Sequence, residues 1–217
     1  MIHILYSDRE LAVCIKPAGI LSEGQAPDSL PALLSAELNR PVYPVHRLDR
    51  GTEGLMVFAL TQPSAAELSR QIVAGELKKE YLAVVCGAPS EERGSLCDLL
   101  FYDRRAGKSF VVDRARKGVK EARLDYTLLA RGRDTALLRV LLHTGRTHQI
   151  RVQLASRGLP LAGDRRYGAP IAGKNPALCS HALAFSHPKT GEPMRFRYFP
   201  EAEEGSPWEE FALDQKE

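Results

Sequence analysis

Asp49 stands in the stretch VHRLDRGTEGLMVFAL, residues 45–60, between Arg47 and Arg50, with His46 upstream and Gly51 directly after. Fixed positive charge on both sides favours the ionised carboxylate. The apolar run that follows reads as a buried strand, and a loop entering such a strand can deliver side chains to the rim of a cleft. An anionic aspartate sheltered there can act as nucleophile or base. An aspartate ion-paired at a turn explains the same residues with no chemistry, so the remaining stretches must decide.

Three others carry useful groups. In HTGRTHQIRVQL, residues 143–154, Arg146 precedes a helix, Arg151 lies inside it, and His148 sits one turn before Arg151. A guanidinium on a rigid element offers a planar fork to carboxylate or phosphate; solvated charges on an amphipathic helix fit equally. In KKEYLAVV, Tyr81 opens a buried strand, either as a core tyrosine or as a flat face for a nucleobase. The segment from Arg104 to Lys120 is basic, with Phe110 among its valines. It reads as a strand with a solvated face or as a phosphate-contacting ribbon with steep salt dependence.

Other constellations fail. There is no GxSxG elbow, no GxxxxGK[ST] phosphate loop and no GxGxxG dinucleotide turn. His143 and His148 lack a third ligand at metal-site spacing. The expectation is chemistry without a metal, nucleotide or organic cofactor.

The elements that must hold these groups follow from pattern. Residues 2–19 read as strand, turn, strand and a Pro/Gly turn. DSLPALLSAEL is a helix with Leu30, Leu33, Leu34 and Leu38 on one face, capped by Asp28 or Ser29. PSAAELSRQIVAG is a helix with Leu68 and Ile72 one turn apart and Gly75 as its stop. KKEYLAVVCG is a strand, residues 88–95 a loop, and SFVVD, ARLDYTLLAR and TALLRVLLH are strands, the last two joined by a turn at 131–134. A helix capped by Thr147 runs to Gly158, HALAFSHP and MRFRYF close the sheet, and SPWEEF forms a short helix docked on the body. Strands dominate and most connections are too short for βαβ crossovers. This predicts an α+β fold with a mixed, largely antiparallel sheet flanked by helices, as one continuous domain over residues 1–217.

The bulk numbers agree. With 217 residues, 44% hydrophobic and 26% charged, the chain is an ordinary globular protein with room for a core. No apolar run is long enough to span a bilayer, and the N-terminus lacks a signal-peptide pattern, so the cytoplasm is expected. Cys14, Cys86, Cys97 and Cys179 are scattered and read as buried free thiols. From residue 201 onward seven acids face one base, a net of −6 against +3 for the whole chain, which leaves +9 on the rest. That surplus favours a polyanionic partner such as nucleic acid.

Together, HRLDRGTEGL (46–55), KKEYLAVVCG (78–87), TGRTHQIRVQLASRGLPLAGDRRYG (144–168) and HALAFSHP (181–188) resemble, in order, the motifs of the RluA family of RNA pseudouridine synthases. The opening ILYSDRELAVCIKPAGIL is similar to that family's N-terminal strands. The resemblance implies a mixed-sheet fold with a central active-site cleft, and cofactor-free isomerisation of uridine in structured RNA, either ribosomal or transfer RNA. It implies that Asp49 is the catalytic carboxylate, Tyr81 the tyrosine that packs on the uracil, and Arg151 the partner of that carboxylate. Arg47 corresponds to the arginine that displaces the target base, and Arg50, Arg146 and His148 are further candidate RNA contacts. The chain departs from the common pattern at Glu53, Leu60 and Gln153, and the expectation is a catalytic fold without a small N-terminal S4-type RNA-binding module. A monomer is expected. The competing readings are a non-catalytic RNA-binding or RNA-folding protein on the same scaffold, and a hydrolase pairing Asp49 with Glu53.

Overall fold

A computed structural model describes residues 2–211; Asp214, Lys216 and Glu217 of the acidic tail lie outside the described residues. The chain forms two compact units, one made of residues up to Lys79 with Cys179–Pro200, the other of Glu80–Leu178 with residues from Glu201 onward.

In the first unit, β1 (His3–Ser7) and β2 (Leu11–Lys16) are joined by a turn that Asp8 closes. Its Oδ1 accepts hydrogen bonds from the backbone N–H groups of Glu10 (2.7 Å) and Leu11 (2.9 Å), the local bonding that suits aspartate to turns. Residues Leu11–Cys14 are all fully buried, so β2 is covered on both faces and reads as an unbroken apolar run. The same holds for β4 (Glu53–Ala59), antiparallel to β2 with Val57 opposite Val13. The short β3 (Tyr43–Pro44) pairs with the far end of β4. On β4 also lies β10 (Leu178–Ser186), parallel, with Cys179 opposite Glu53 and Ser180 opposite Gly54; β11 (Pro193–Arg197) returns antiparallel along β10. Gly54 makes the parallel approach possible. Its φ is +110°, and a Cβ there would lie 2.4 Å from the Ser180 carbonyl oxygen.

Helix α1 (Leu30–Leu38) starts after Ser29 with Pro31 in its first turn. Helix α2 (Gln62–Val73) is capped by Thr61, whose hydroxyl accepts from the Ser64 N–H at 3.3 Å. It ends at Ala74, with Gly75 at φ +69°. Leu68 of α2 is buried with Leu11, Val13, Leu55, Val57, Leu183 and Phe185, and Ile72 packs beside them. Each such side chain contributes roughly 1.5–3 kcal/mol on burial.

In the second unit the strands lie in the order β5 (Lys78–Cys86, from Glu80), β9 (Thr135–Leu142), β8 (Val119–Arg131), β6 (Arg93–Asp103) and β7 (Lys108–Val112). The β6–β7, β6–β8 and β8–β9 pairings are antiparallel. Helix α3 (Gln149–Ala155) packs Val152 against Leu100 of β6 and Ala122 of β8. The α+β fold with a mixed, mostly antiparallel sheet is therefore as expected.

Four local expectations are corrected. Residues 93–95, expected in a loop, begin the eleven-residue β6. Its buried residues, Leu96 and Leu100, lie on one face with the charged Asp98 between them, so the apolar alternation that marks a strand is broken. Cys97, expected buried, is exposed on β6 opposite Arg123. Helix α3 begins after His148, not Thr147, and His148 holds a left-handed backbone (φ 55°) with no side-chain cap. The Gln149 amide does the work instead, accepting from the Arg146 N–H (3.0 Å) and donating to the Arg123 carbonyl (3.0 Å). Residues 206–211 form turns rather than a helix, with bonds from Glu209 N–H to Ser206 O and Phe211 N–H to Trp208 O. Trp208 and Phe211 are nonetheless buried, and the Glu210 carboxylate accepts from Arg133 N–H and Thr135 Oγ1, clasping the 131–134 turn.

Candidate active site

In the first unit Asp49 lies half-buried in a loop whose backbone is tied down on both sides. Before it, Ser22 bridges Leu48: the hydroxyl donates to the Leu48 carbonyl (2.6 Å) and accepts from the Leu48 N–H (3.1 Å). After it, the Arg50 carbonyl accepts from the Gly19 N–H (2.7 Å) and from Lys16 Nζ (3.1 Å), while Arg50 Nε donates back to the Gly19 carbonyl (2.8 Å). The Asp49 carbonyl itself accepts from the Thr52 N–H at 3.0 Å. The 16–22 segment thus acts as a splint for residues 48–50, and the backbone that carries Asp49 is held before any substrate arrives.

Charge around this loop is also arranged. Lys16 is fully buried, and Nζ donates to the carbonyls of Pro17 (2.9 Å) and Ile20 (2.8 Å) as well as Arg50. Burial pushes its ammonium down to about 8, and the carboxylates of Asp49 and Glu53 oppose that shift. His46 is held neutral: desolvation pushes its imidazole down to about 3, with the Lys79 charge adding to the effect. Its Nε2 accepts from the Val57 N–H at 3.1 Å, tying the loop to β4. His46 is therefore a strut and not a proton carrier near neutral pH. Arg47 and Arg50 are exposed at the same loop, Arg47 within 3.2 Å of the Glu23 carboxylate.

In the second unit Tyr81 is buried near the start of β5. Arg151 lies in α3, almost wholly buried, and is gripped by Asp164: Nε donates to Oδ2 at 2.7 Å and Nη2 to Oδ1 at 2.9 Å. This is the parallel two-bond fork that makes arginine–carboxylate pairs geometrically specific. The guanidinium also lies 5.2 Å from the centre of the Tyr167 ring. The Tyr167 hydroxyl accepts from the Ser109 N–H at 2.9 Å and lies 3.1 Å from His148 Nδ1. Arg146 donates through Nε to the Glu121 carbonyl at 2.8 Å.

The predicted residues thus divide. Asp49, Arg47 and Arg50 belong to the first unit, and Tyr81, Arg146, His148 and Arg151 to the second. Asp164 and Tyr167 were given no role by the sequence reading, although the motif GDRRYG contains both; an aspartate beside two arginines reads as locally paired, while its partner lies thirteen residues back. Two of the departures prove structural. Leu60 is in the core. Gln153 is fully buried, and its Nε2 donates to Asp98 at 2.6 Å and to the Ala122 carbonyl at 3.3 Å.

Residues 10–156 match the family described as RNA pseudouridylate synthase. The chain is 35% identical over 207 residues to the dual-specificity RNA pseudouridine synthase RluA of Pasteurella multocida, spanning 90% of this chain and 91% of that protein. Against the Escherichia coli protein of the same name it is 35% identical over 208 residues, spanning 89% and 91%. The solved structure titled Human RNA Pseudouridylate Synthase Domain Containing 1 superposes with a TM-score of 0.77 at 23% identity, covering 92% of this chain and 84% of that one, a likeness of fold.

Proposed function

The chain belongs to the RNA pseudouridylate synthase family, and we propose that it isomerises uridine to pseudouridine in structured ribosomal or transfer RNA with Asp49 as its catalytic carboxylate. It is an isomerase of RNA uridine by that membership; the assignment of residues and of the RNA class is the proposal. One observation carries it: the backbone on both sides of Asp49 is held by buried groups, inside the stretch that matches the family.

The reaction breaks the uridine N1–C1′ bond, turns the base, and joins C5 to C1′. The target nucleotide must first leave its stack, at a cost of a few kcal/mol that is least in loops and mismatches. Arg47, exposed beside Asp49, suits filling the vacated space and contacting phosphate. Asp49 then acts as an anion against the sugar or the ring: attack at C1′, addition to the ring and removal of a sugar proton all need that anion in nearly the same place. Arg151 serves as the counter-charge that keeps Asp49 ionised while RNA excludes water, and Tyr81 supplies a flat face for the uracil. Arg50, Arg146 and His148 serve as RNA contacts.

The test is genetic and chemical. Pseudouridines are mapped across cellular RNA with and without the gene. A position that disappears on deletion, returns with the wild-type gene and stays absent with Asp49→Ala identifies the substrate and the role of Asp49. Restoration by Asp49→Ala would instead support the reading as an RNA-folding protein.

A further inference from the structure

The second unit contains an open cavity of about 670 Å³ whose lining includes Arg151, Arg165, Arg166 and Lys174 against one carboxylate, Asp164. That carboxylate is already engaged by Arg151 through two hydrogen bonds. Arg166 donates to the backbone carbonyls of Ala106 (3.4 Å) and Gly107, neutral acceptors that fix its position without cancelling its charge. Arg165 and Lys174 are exposed at the rim, and among the described residues no ion pair opposes them. The cavity is therefore strongly positive, with a buried floor and adjustable edges.

Its wall is built to be bare and stiff. Gly163, at φ +80°, could not carry a Cβ, which would come within 2.3 Å of the Asn175 carbonyl oxygen, and a Cβ on Gly173 would lie 2.7 Å from Gly163 Cα. Two stretches of backbone consequently touch directly. Bonds from Gly163 N–H to Ile171 O (3.1 Å), Ala169 N–H to Asp164 O (3.1 Å) and Ala177 N–H to Ala162 O (2.8 Å) hold the loop in that shape. The arginine floor is pre-ordered by Asp164, so little side-chain entropy is lost when a ligand binds there.

The lining also says what the ligand is not. Among the described residues no aromatic ring lines the cavity, so it lacks the aromatic platform on which single-stranded sites usually stack their bases. Guanidinium and ammonium groups around bare backbone suit the oxygens of a phosphodiester chain. We infer that this cavity holds backbone phosphates of the substrate RNA, with Arg165 and Lys174 making the contacts over the Arg151–Asp164 floor. The inference deepens the proposed function and rests on it for the identity of the polyanion.

Binding is measured on the full chain with an oligouridylate of about twelve nucleotides, a length typical of single-strand sites, and with the same oligomer carrying neutral methylphosphonate linkages. Arg165→Gln/Lys174→Gln changes only exposed side chains. It is expected to weaken binding of the charged oligomer at least about tenfold, and to flatten the plot of log affinity against log salt by about 1.4, roughly 0.7 for each lost phosphate contact. Binding of the neutral oligomer should be the same for variant and wild type. Arg9→Gln/Lys78→Gln removes the same charge from exposed positions in the first unit and is expected to stay within about twofold of wild type. Equal losses in the two double variants, or an unchanged salt slope, would overturn the inference. Pseudouridine mapping is read separately: its failure in wild type refutes the proposed function and leaves the binding result standing as evidence for a polyanion site.

Discussion

Lys16 places Nζ 3.1 Å from the carbonyl oxygen of Arg50, the residue directly after Asp49. Its other two hydrogen bonds go to Pro17 and Ile20, so three carbonyls face an ammonium that has three N–H donors. The neutral amine would have two. The charge on a fully buried lysine and the order of the Asp49 loop are therefore linked.

This sets a pH signature with two opposite arms. The folded chain holds Lys16 near 8, against about 10.5 when unfolded. Between these values the unfolded chain keeps a proton that the folded chain has lost, so the Lys16 contribution to stability rises with pH and is least favourable below pH 8. In urea unfolding, wild type should gain about 2 kcal/mol on Lys16→Met between pH 7.5 and pH 10. Turnover should run the other way and decline above about pH 8 as the third donor is lost. A stability difference that does not move with pH would show that Lys16 is not the titrating group.

Ser22 is the splint on the other side of Asp49. In Ser22→Ala both the N–H and the carbonyl of Leu48 lose a buried partner. The expected cost is about 1–3 kcal/mol of stability. Because the substitution loosens the loop and leaves the RNA contacts in place, kcat should fall by about tenfold with KM for RNA changing less. Steady-state kinetics with unaltered kcat would refute the positioning role.

Asp49→Asn separates chemistry from fold. The Asp49 carbonyl, not its side chain, accepts the turn bond from Thr52, and the substitution keeps that bond. In a variant whose circular dichroism shows the wild-type fold, single-turnover pseudouridine formation should drop by at least about a hundredfold. Retained turnover would remove Asp49 from the mechanism.

Asp164→Asn should lower stability. It converts a buried, doubly bonded carboxylate into an amide opposite a guanidinium, and breaking such a pair costs about 3–5 kcal/mol. By contrast Glu23→Ala, which removes the exposed partner of Arg47, should change stability by less than about 0.5 kcal/mol. Urea midpoints of the two variants compare them directly. Similar small shifts in both would mean that the Arg151–Asp164 fork does not anchor α3.

Periodicity was enough to locate β2, β4 and α2, because burial on both faces of a strand, or on one stripe of a helix, leaves a pattern in neighbouring residues. β6 escaped because Cys97 and Asp98 interrupt its apolar residues, and Asp98 is balanced by Arg157 and Gln153 from α3 and the turn after it. At the candidate site, the types and order of Asp49, Tyr81 and Arg151 were legible. The Ser22–Leu48 bridge, twenty-six residues apart, and the Asp164 fork were not. Both depend on chain segments meeting in space, and neither leaves a trace in local spacing.

Gly54 carries a consequence for variation in this protein. The residue five places beyond Asp49 has no room for even a methyl group where β4 meets Ser180. A single mutation there cannot be absorbed by a rotamer change, because what it would strike is main chain. Adaptation toward a different RNA is thereby shut out of the strand floor and must come from more tolerant ground, such as the exposed cations at Arg47, Arg165 and Lys174.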